Sequence, residues 1–150
     1  NLLKAFADGK TVNIGRNALN IENCTLKNKK LYKSETEIVT VSPVVAYVTK
    51  DNTKRIFFSP DDDEFYNQVI NNAKRKWISA GNIEEDFALS IEKTESRPLR
   101  KEVTEFKKSY ITAWHGSFVL RGNPEVIDFL YQTGLGSKNS QGFGIFEKIQ

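Results

Sequence analysis

The residue types with the clearest chemical potential lie together in one glycine-rich segment, residues 134–144, with the sequence GLGSKNSQGFG. Glycine permits a positive φ and lets other groups approach the backbone closely. Exposed amides, a lysine and small polar side chains can contact phosphates and sugar hydroxyls. The segment therefore predicts a phosphate-contacting loop. Its candidate binding residues are Gly134, Gly136, Ser137, Lys138, Asn139, Ser140, Gln141, Gly142 and Gly144.

Two familiar glycine motifs do not fit this segment. A dinucleotide-binding fingerprint needs a third glycine at Asn139 and a helix after it, whereas a strand is predicted to follow. A nucleoside triphosphate loop needs a lysine and a hydroxyl residue directly after its second glycine, but Phe143 and Gly144 follow Gly142. A purely structural interpretation stays open, because glycines at a helix-to-strand junction also let the chain reverse.

A second candidate is a basic stretch, from which we select Arg100, Lys101 and Lys107 as candidates for binding a nucleic-acid backbone. Basic side chains track a nucleic-acid backbone, although a solvated loop is the alternative. The single histidine, His115, has a pKa suited to proton transfer. We favour a structural or surface role for it, and the catalytic residue stays unassigned.

Composition limits the class of protein. The chain has 150 residues, of which 39% are hydrophobic and 27% charged, which predicts one soluble globular domain with an extension. No segment approaches the roughly 20 apolar residues that a membrane span needs. The single cysteine, Cys24, excludes an internal disulfide and a cysteine-based zinc site, and it fits the cytoplasm. The formal charge of +3 does not by itself indicate nucleic acid.

The elements that must position these residues follow from the sequence pattern. Residues 37–50 predict a strand that bends at Pro43, and residues 55–58 a short strand. Ser59, Pro60 and the following aspartates predict a helix start, and Gly81 a left-handed helix end. The predicted buried stripe of this helix is Phe65, Val69, Ile70, Ala73, Trp77 and Ile78, with Asn71, Asn72, Lys74 and Lys76 facing away.

The second half of the chain repeats the pattern. Strands are predicted at residues 87–91 and 110–121, a helix from Asn123 to its end at Gly134, and a last strand at residues 143–149. The order strand, helix, strand, strand, helix, strand predicts an α+β, ferredoxin-like (split βαβ, RRM-like) fold. Four antiparallel strands would then carry both helices on one face.

We predict that this domain occupies residues 34–150. Residues 1–33 are interpreted as a β extension and connector, a remnant of a preceding N-terminal domain, because the chain begins at Asn1 and reads directly into Leu2 and Leu3.

The loop resembles the C-terminal glycine-rich loop of CRISPR repeat RNA processing endoribonucleases in the RAMP superfamily. The shared pattern is glycine, apolar, glycine, five residues, glycine, aromatic or apolar, glycine, placed just before the last strand, and residues 134–144 match it throughout. The resemblance continues upstream through residues 118–123 to Leu130 and Tyr131, and more loosely to Ser42 and Pro43.

The resemblance implies a protein of two ferredoxin-like domains that binds CRISPR precursor RNA and cleaves it within repeats. The implied cleavage uses the ribose 2′-hydroxyl without a metal or cofactor, assisted by an acid/base that is commonly a histidine in the N-terminal domain. An alternative is a non-catalytic RNA-binding RAMP subunit of a CRISPR effector complex, and a third is a ferredoxin-like interaction or small-molecule domain. Implied partners are repeat RNA and either a second copy or effector subunits, without a membrane.

Overall fold

The computed structural model describes residues 11–22, 32–51, 54–106 and 109–149. The chain divides into two units, residues 1–30 and 31–150. In the first unit, β1 (Thr11–Ile14) and β2 (Asn17–Asn20) form an antiparallel hairpin that turns at Gly15, where φ is 61°. The hairpin agrees with the predicted β structure of this extension. The assignment of residues 1–33 to a preceding domain stays a prediction.

The second unit contains the two helices and the remaining strands of the described part. The strands are β3 (Glu35–Thr40), β4 (Tyr47–Lys50), β5 (Lys54–Phe57), β6 (Leu89–Thr94), β7 (Arg100–Phe106), β8 (Ser109–His115), β9 (Ser117–Gly122) and β10 (Phe146–Lys148). The helices are α1 (Asp63–Ser79) and α2 (Pro124–Thr133), with single 3₁₀ turns at Glu84–Asp86 and Asn139–Gln141.

A four-stranded antiparallel sheet organises this unit, in the order β10-β3-β9-β6. Together with α1 and α2 it gives the predicted α+β, ferredoxin-like fold. Alternation along β3 sends Ile38 inward and Val39 outward, and Ile38 lies opposite Phe118 of β9. Phe118 stacks on Phe65 of α1 with ring centroids 6.1 Å apart, so the sheet and the helices share one core.

The helix ends explain where the chain changes direction. In α2, the Asn123 side chain accepts a hydrogen bond from the Glu125 amide at 3.0 Å, as predicted. The predicted start of α1 at Ser59 is wrong, because the Asp62 amide donates to the Ser59 carbonyl at 2.8 Å and closes a turn first. The N-cap of α1 is therefore Asp62. The left-handed end at Gly81 is confirmed, with a φ of 86°.

Three predicted strands have different limits in the structure. The strand at residues 37–50 divides into β3 and β4, because the segment around Pro43 leaves the main sheet. The strand at residues 110–121 divides at Gly116 into β8 and β9, which belong to different sheets. The last strand is shorter than residues 143–149, since Gly144 has a φ of 79° and keeps the preceding residues in the loop.

Two further sheets were not predicted as such. β4 pairs with β5, and β7 pairs with β8, each as a two-stranded antiparallel sheet. The basic stretch at Arg100 and Lys101 is thus a strand rather than a loop. In α1, the stripe of Phe65, Val69, Ala73 and Trp77 is buried, whereas Ile78 is 41% exposed. Within the described ranges, no helix is long and apolar enough to cross a bilayer.

Candidate nucleic-acid interface

The glycine-rich loop, residues 134–144, has a buried frame. Gly136 has a φ of 64°, and a Cβ atom added there would lie 2.5 Å from the Val45 carbonyl oxygen. Gly142 has a φ of 89°, and nothing lies within 4 Å of its added Cβ. Gly136 is therefore required by close packing, whereas Gly142 is required only by its backbone conformation.

Side chains from inside the loop and from α1 hold this frame. The Lys76 ammonium donates to the Gly134 carbonyl at 2.5 Å and to Asn139 Oδ1 at 3.1 Å. The Asn139 amide nitrogen donates to the carbonyls of Leu135 and Phe143, each at 3.0 Å. Burial lowers the pKa of Lys76 to about 8. Lys76 thus acts as a support for the loop, and its predicted orientation toward solvent is wrong.

Asn72 also faces the loop rather than solvent. Its amide nitrogen lies 3.5 Å from Ser137 Oγ, and its Oδ1 is buried. The signal for these two contacts was present in the sequence. Asn72 and Lys76 are four residues apart and therefore on one side of α1, directly beside the buried Ala73 and Trp77.

Backbone hydrogen bonds attach the loop to residues 43–45. The Ser137 amide donates to the Val45 carbonyl at 2.8 Å, and the Gly144 amide donates to the Pro43 carbonyl at 2.9 Å. Val44 in turn bridges Trp114 of β8, which pairs with Lys101 of β7. The loop and the β7–β8 hairpin are therefore both hydrogen-bonded to one short segment.

The outward part of the loop carries its charge. Ser140, Gln141 and Gly142 are exposed, and Lys138 is partly exposed with a φ of 64°. The Lys138 ammonium lies 5.2 Å from the ring centroid of Tyr47, and the Arg55 guanidinium carbon lies 6.0 Å from the same centroid. Burial and the Arg55 charge lower the pKa of Lys138 below its usual value.

We call Lys138, Arg55 and Tyr47 the cation–aromatic cluster. This cluster was not predicted, since neither Tyr47 nor Arg55 is among the candidate RNA-binding residues. Arg55 alternates with the less exposed Ile56 on a short strand, and this was the available signal. In the described part of the chain, no carboxylate lies within ion-pair distance of either cation.

The predicted RNA-binding residues thus fall into three groups. Gly134, Gly136, Asn139 and Gly144 form the frame, and the three glycines are buried. Ser137, Lys138, Ser140, Gln141 and Gly142 complete the loop, the last three being exposed. Arg100 and Lys101 are exposed on β7, whereas Lys107 lies outside the described residues. RNA contact by each of them stays a prediction.

The distance between the β7–β8 hairpin and the loop can be counted in spacings between paired strands. From Ser137 through the segment at Val44 and Val45 to Trp114 and then Lys101 there are three lateral steps. At about 4.8 Å a step, this is roughly 14 Å. The backbones of the loop and of the β7–β8 hairpin are therefore separated by only a few strand spacings.

His115 is fixed by protein partners at both ring nitrogens. Its Nε2 lies 3.0 Å from Glu102 Oε2 and its Nδ1 lies 3.4 Å from Thr40 Oγ1. Its side chain is 16% exposed. This geometry supports the structural interpretation of the residue. Among the residues that the structure describes, no group of three or more histidine, cysteine, aspartate or glutamate side chains is placed to hold a metal ion.

Comparison with known proteins bears on the whole domain. The family model of CRISPR associated protein Cas6, C-terminal, matches residues 26–148. The chain is 29% identical over 114 residues to CRISPR-associated endoribonuclease Cas6 1 of Methanocaldococcus jannaschii, covering 74% of this chain and 44% of that protein. It is 29% identical over 120 residues to CRISPR-associated endoribonuclease Cas6 of Pyrococcus furiosus, covering 80% and 44%. The chain therefore spans less than half the length of these two curated relatives.

Solved structures share the fold. A structure described as a Cas6-related gene from Pyrococcus furiosus matches with a TM-score of 0.80 at 23% identity, covering 99% of this chain and 62% of that one. Another, described as a RAMP protein binding different RNA substrates, matches with a TM-score of 0.79 at 21% identity, covering 98% and 62%. The fold and the match of the family model over most of the sequence agree, and the chain belongs to the Cas6 C-terminal family of CRISPR-associated proteins.

Proposed function

We propose that this chain supplies the RNA-binding C-terminal part of an endoribonuclease that binds CRISPR precursor RNA and cleaves it within repeats. The observation that carries the proposal is the cation–aromatic cluster beside the glycine-rich loop. Membership of the Cas6 C-terminal family and the names of the curated relatives support the same activity.

The charge arrangement of the cluster favours a phosphate ligand. Lys138 and Arg55 both lie over Tyr47, and their mutual repulsion is one cause of the lowered pKa of Lys138. A phosphate between the two cations would remove that repulsion and satisfy both groups. The half-buried Tyr47 ring adds an apolar surface for a base or a ribose. A single RNA strand supplies phosphates and aromatic bases at alternating positions.

The proposed cleavage uses the ribose 2′-hydroxyl as nucleophile on the adjacent phosphate, without a metal. In this chain the loop and the cluster would hold the RNA backbone. The proton-transfer group is not assigned to this chain, because His115 has protein partners at both ring nitrogens. The alternative is a non-catalytic RNA-binding RAMP subunit of an effector complex, and an acid/base outside this chain would distinguish the two.

The test measures binding and cleavage of labelled CRISPR repeat RNA in excess chelator, for this chain and for the full-length protein that contains it. We expect Lys138→Ala combined with Arg55→Gln to weaken RNA binding roughly tenfold. The slope of log affinity against log salt concentration should fall by the equivalent of about two phosphate contacts. Arg75→Gln is the matched control, because Arg75 is exposed on α1.

Two results would contradict the proposal. Unchanged RNA affinity in the folded double variant would remove the cluster from the interface. Binding without cleavage by the full-length protein would replace the nuclease with the non-catalytic subunit.

A further inference from the structure

A separate cationic cavity lies where β3 and β8 end. Its volume is about 250 Å³, and it is lined by Val39, Thr40, Arg97, Pro98, Arg100, His115 and Gly116. We propose that this cavity binds a single nucleotide of an RNA strand, with the phosphate held by Arg97 and Arg100. The proposal rests on the proposed function, since its occupant is RNA, but it concerns residues outside the cation–aromatic cluster.

The two arginines are available to an anion. Both are exposed, and within the described residues no carboxylate lies within ion-pair distance of Arg97. Arg100 has only a long contact of 3.7 Å to Glu102 Oε2, at a position where both side chains are well exposed. Such a surface contact contributes little. Guanidinium groups form paired hydrogen bonds with the oxygens of phosphates and carboxylates, so two arginines at one cavity favour an oxyanion over a neutral ligand. In an RNA ligand that oxyanion is the phosphate.

The cavity is held in shape before any ligand binds. The Arg97 amide donates to Ser117 Oγ at 2.9 Å, and Ser117 Oγ lies 2.7 Å from Thr94 Oγ1. Thr40 Oγ1 accepts from the Gly116 amide at 3.0 Å. Fixed walls lower the entropy lost on binding, because less of the protein has to become ordered.

His115 and Glu102 shape the cavity, and we assign no proton transfer to them. Glu102 holds the imidazole at 3.0 Å through Nε2, so the ring is a fixed wall of the cavity. The Glu102 carboxylate is not among the groups that line the cavity.

The other walls select the rest of the ligand. Val39 and Pro98 present apolar surface on which a ribose or the face of a base can pack. The volume is just below the roughly 300–1,000 Å³ of pockets that hold drug-sized ligands, so it suits one nucleotide and not a base-paired segment. The cavity would thus hold an unpaired nucleotide of the RNA.

The experiment combines two measurements on the same variants. Backbone amide NMR signals are followed while uridine 3′-monophosphate is added, and the affinity for repeat RNA is measured by fluorescence anisotropy. In the unchanged chain we expect the signals of Gly116 and Ser117 to shift. Arg97→Gln with Arg100→Gln should abolish these shifts and weaken RNA binding roughly tenfold, whereas Arg75→Gln should change neither.

The outcomes separate this proposal from the proposed function. If Lys138→Ala with Arg55→Gln weakens RNA binding while the folded Arg97→Gln, Arg100→Gln variant binds RNA normally and the mononucleotide shifts no signal at Gly116, the cavity proposal is overturned and RNA binding stands. If neither double variant changes RNA affinity, both the cavity and the cluster lie outside the interface, whereas failure of the unchanged chain to bind repeat RNA overturns the RNA-binding function itself. If only the Arg97→Gln, Arg100→Gln variant loses RNA affinity, and it also loses the mononucleotide shifts, the cavity is supported and the cation–aromatic cluster lies outside the interface.

Discussion

Two lysines beside the glycine-rich loop differ in what surrounds their ammonium groups. Lys76 reaches the loop from α1 and donates to the carbonyl of Gly134 and to Asn139 Oδ1. Lys138 lies on the outward side, next to a tyrosine ring and an arginine. Burial makes the first a structural group, whereas partial exposure leaves the second available to a ligand. Residue type alone does not separate these roles.

The buried Lys76 predicts a stability that depends on pH. Its pKa of about 8 in the folded chain lies below the 10.5 of a solvated lysine, so between these values the unfolded chain binds more protons than the folded one. The free energy of unfolding should therefore rise with pH over this window. Relative to Lys76→Met, which cannot titrate, the gain should approach about 3 kcal/mol, measured by urea unfolding at pH 8 and pH 10.5.

Lys74→Met is the control for this measurement, because Lys74 is partly exposed and pairs with Glu84 on the surface. Its difference from the unchanged chain should stay nearly constant over the same pH window. A Lys76→Met variant whose difference is equally constant would show that the Lys76 ammonium is solvated in the folded chain.

At the scale of elements, the glycines of the loop have separable structural roles. A Cβ atom added at Gly136 would meet the Val45 carbonyl oxygen, whereas a Cβ atom added at Gly142 would have no atom within 4 Å. We expect Gly136→Ala to lower the free energy of unfolding by about 3 kcal/mol, through both the contact and the positive φ. Gly142→Ala should cost only about 1 kcal/mol, through φ alone. Urea unfolding of the two variants measures this difference.

Similar losses for the two alanine variants would contradict the packing of the loop on residues 43–45. The comparison also determines how RNA binding can be tested. Because Gly136 supports the fold, an alanine there would change the loop's structure and its affinity together. Lys138 and Arg55 are better positions for that test, since neither is buried.

The element order could be predicted from the sequence, whereas the β7–β8 hairpin could not. Asn123, Pro124 and Gly134 define α2 through local chemistry, and the structure confirms their roles. β7 reads RKEVTEF, in which Val103 is 53% exposed and no position is buried. A strand without a buried face shows no alternation of apolar and polar residues, so its pattern is typical of a solvated loop. Its pairing with β8 depends on contacts distant in sequence.

At the scale of the whole molecule, one core joins the sheet to both helices. Phe118 of β9 is 1% exposed and stacks on Phe65, whereas its neighbour Val119 points to the opposite face. We expect Phe118→Ala to lower the free energy of unfolding by about 4 kcal/mol. Val119→Ala should cost about 1 kcal/mol, because less apolar surface is removed from burial. Thermal or urea unfolding followed by far-UV circular dichroism would measure both.

Equal losses for the two variants would mean that the face carrying Val119 is as closely covered as the helix side. The sequence predicts that this face of the sheet carries no helix. It does not predict which charged residues lie there. Arg121 there contacts Glu35 at 2.7 Å and Glu92 at 2.5 Å. These contacts cross three neighbouring strands, and their pairing depends on a register that a single sequence does not determine.

The short segment at Pro43, Val44 and Val45 carries no charge and no reactive group, yet it hydrogen-bonds the loop and also β8. Its backbone therefore holds two basic surfaces in place, the glycine-rich loop and the β7–β8 hairpin. A small shift of this segment would displace both surfaces together, so the backbone sets the spacing between them. If the chain binds RNA as proposed, substitutions of these apolar residues should lower the RNA affinity even though their side chains do not contact the RNA.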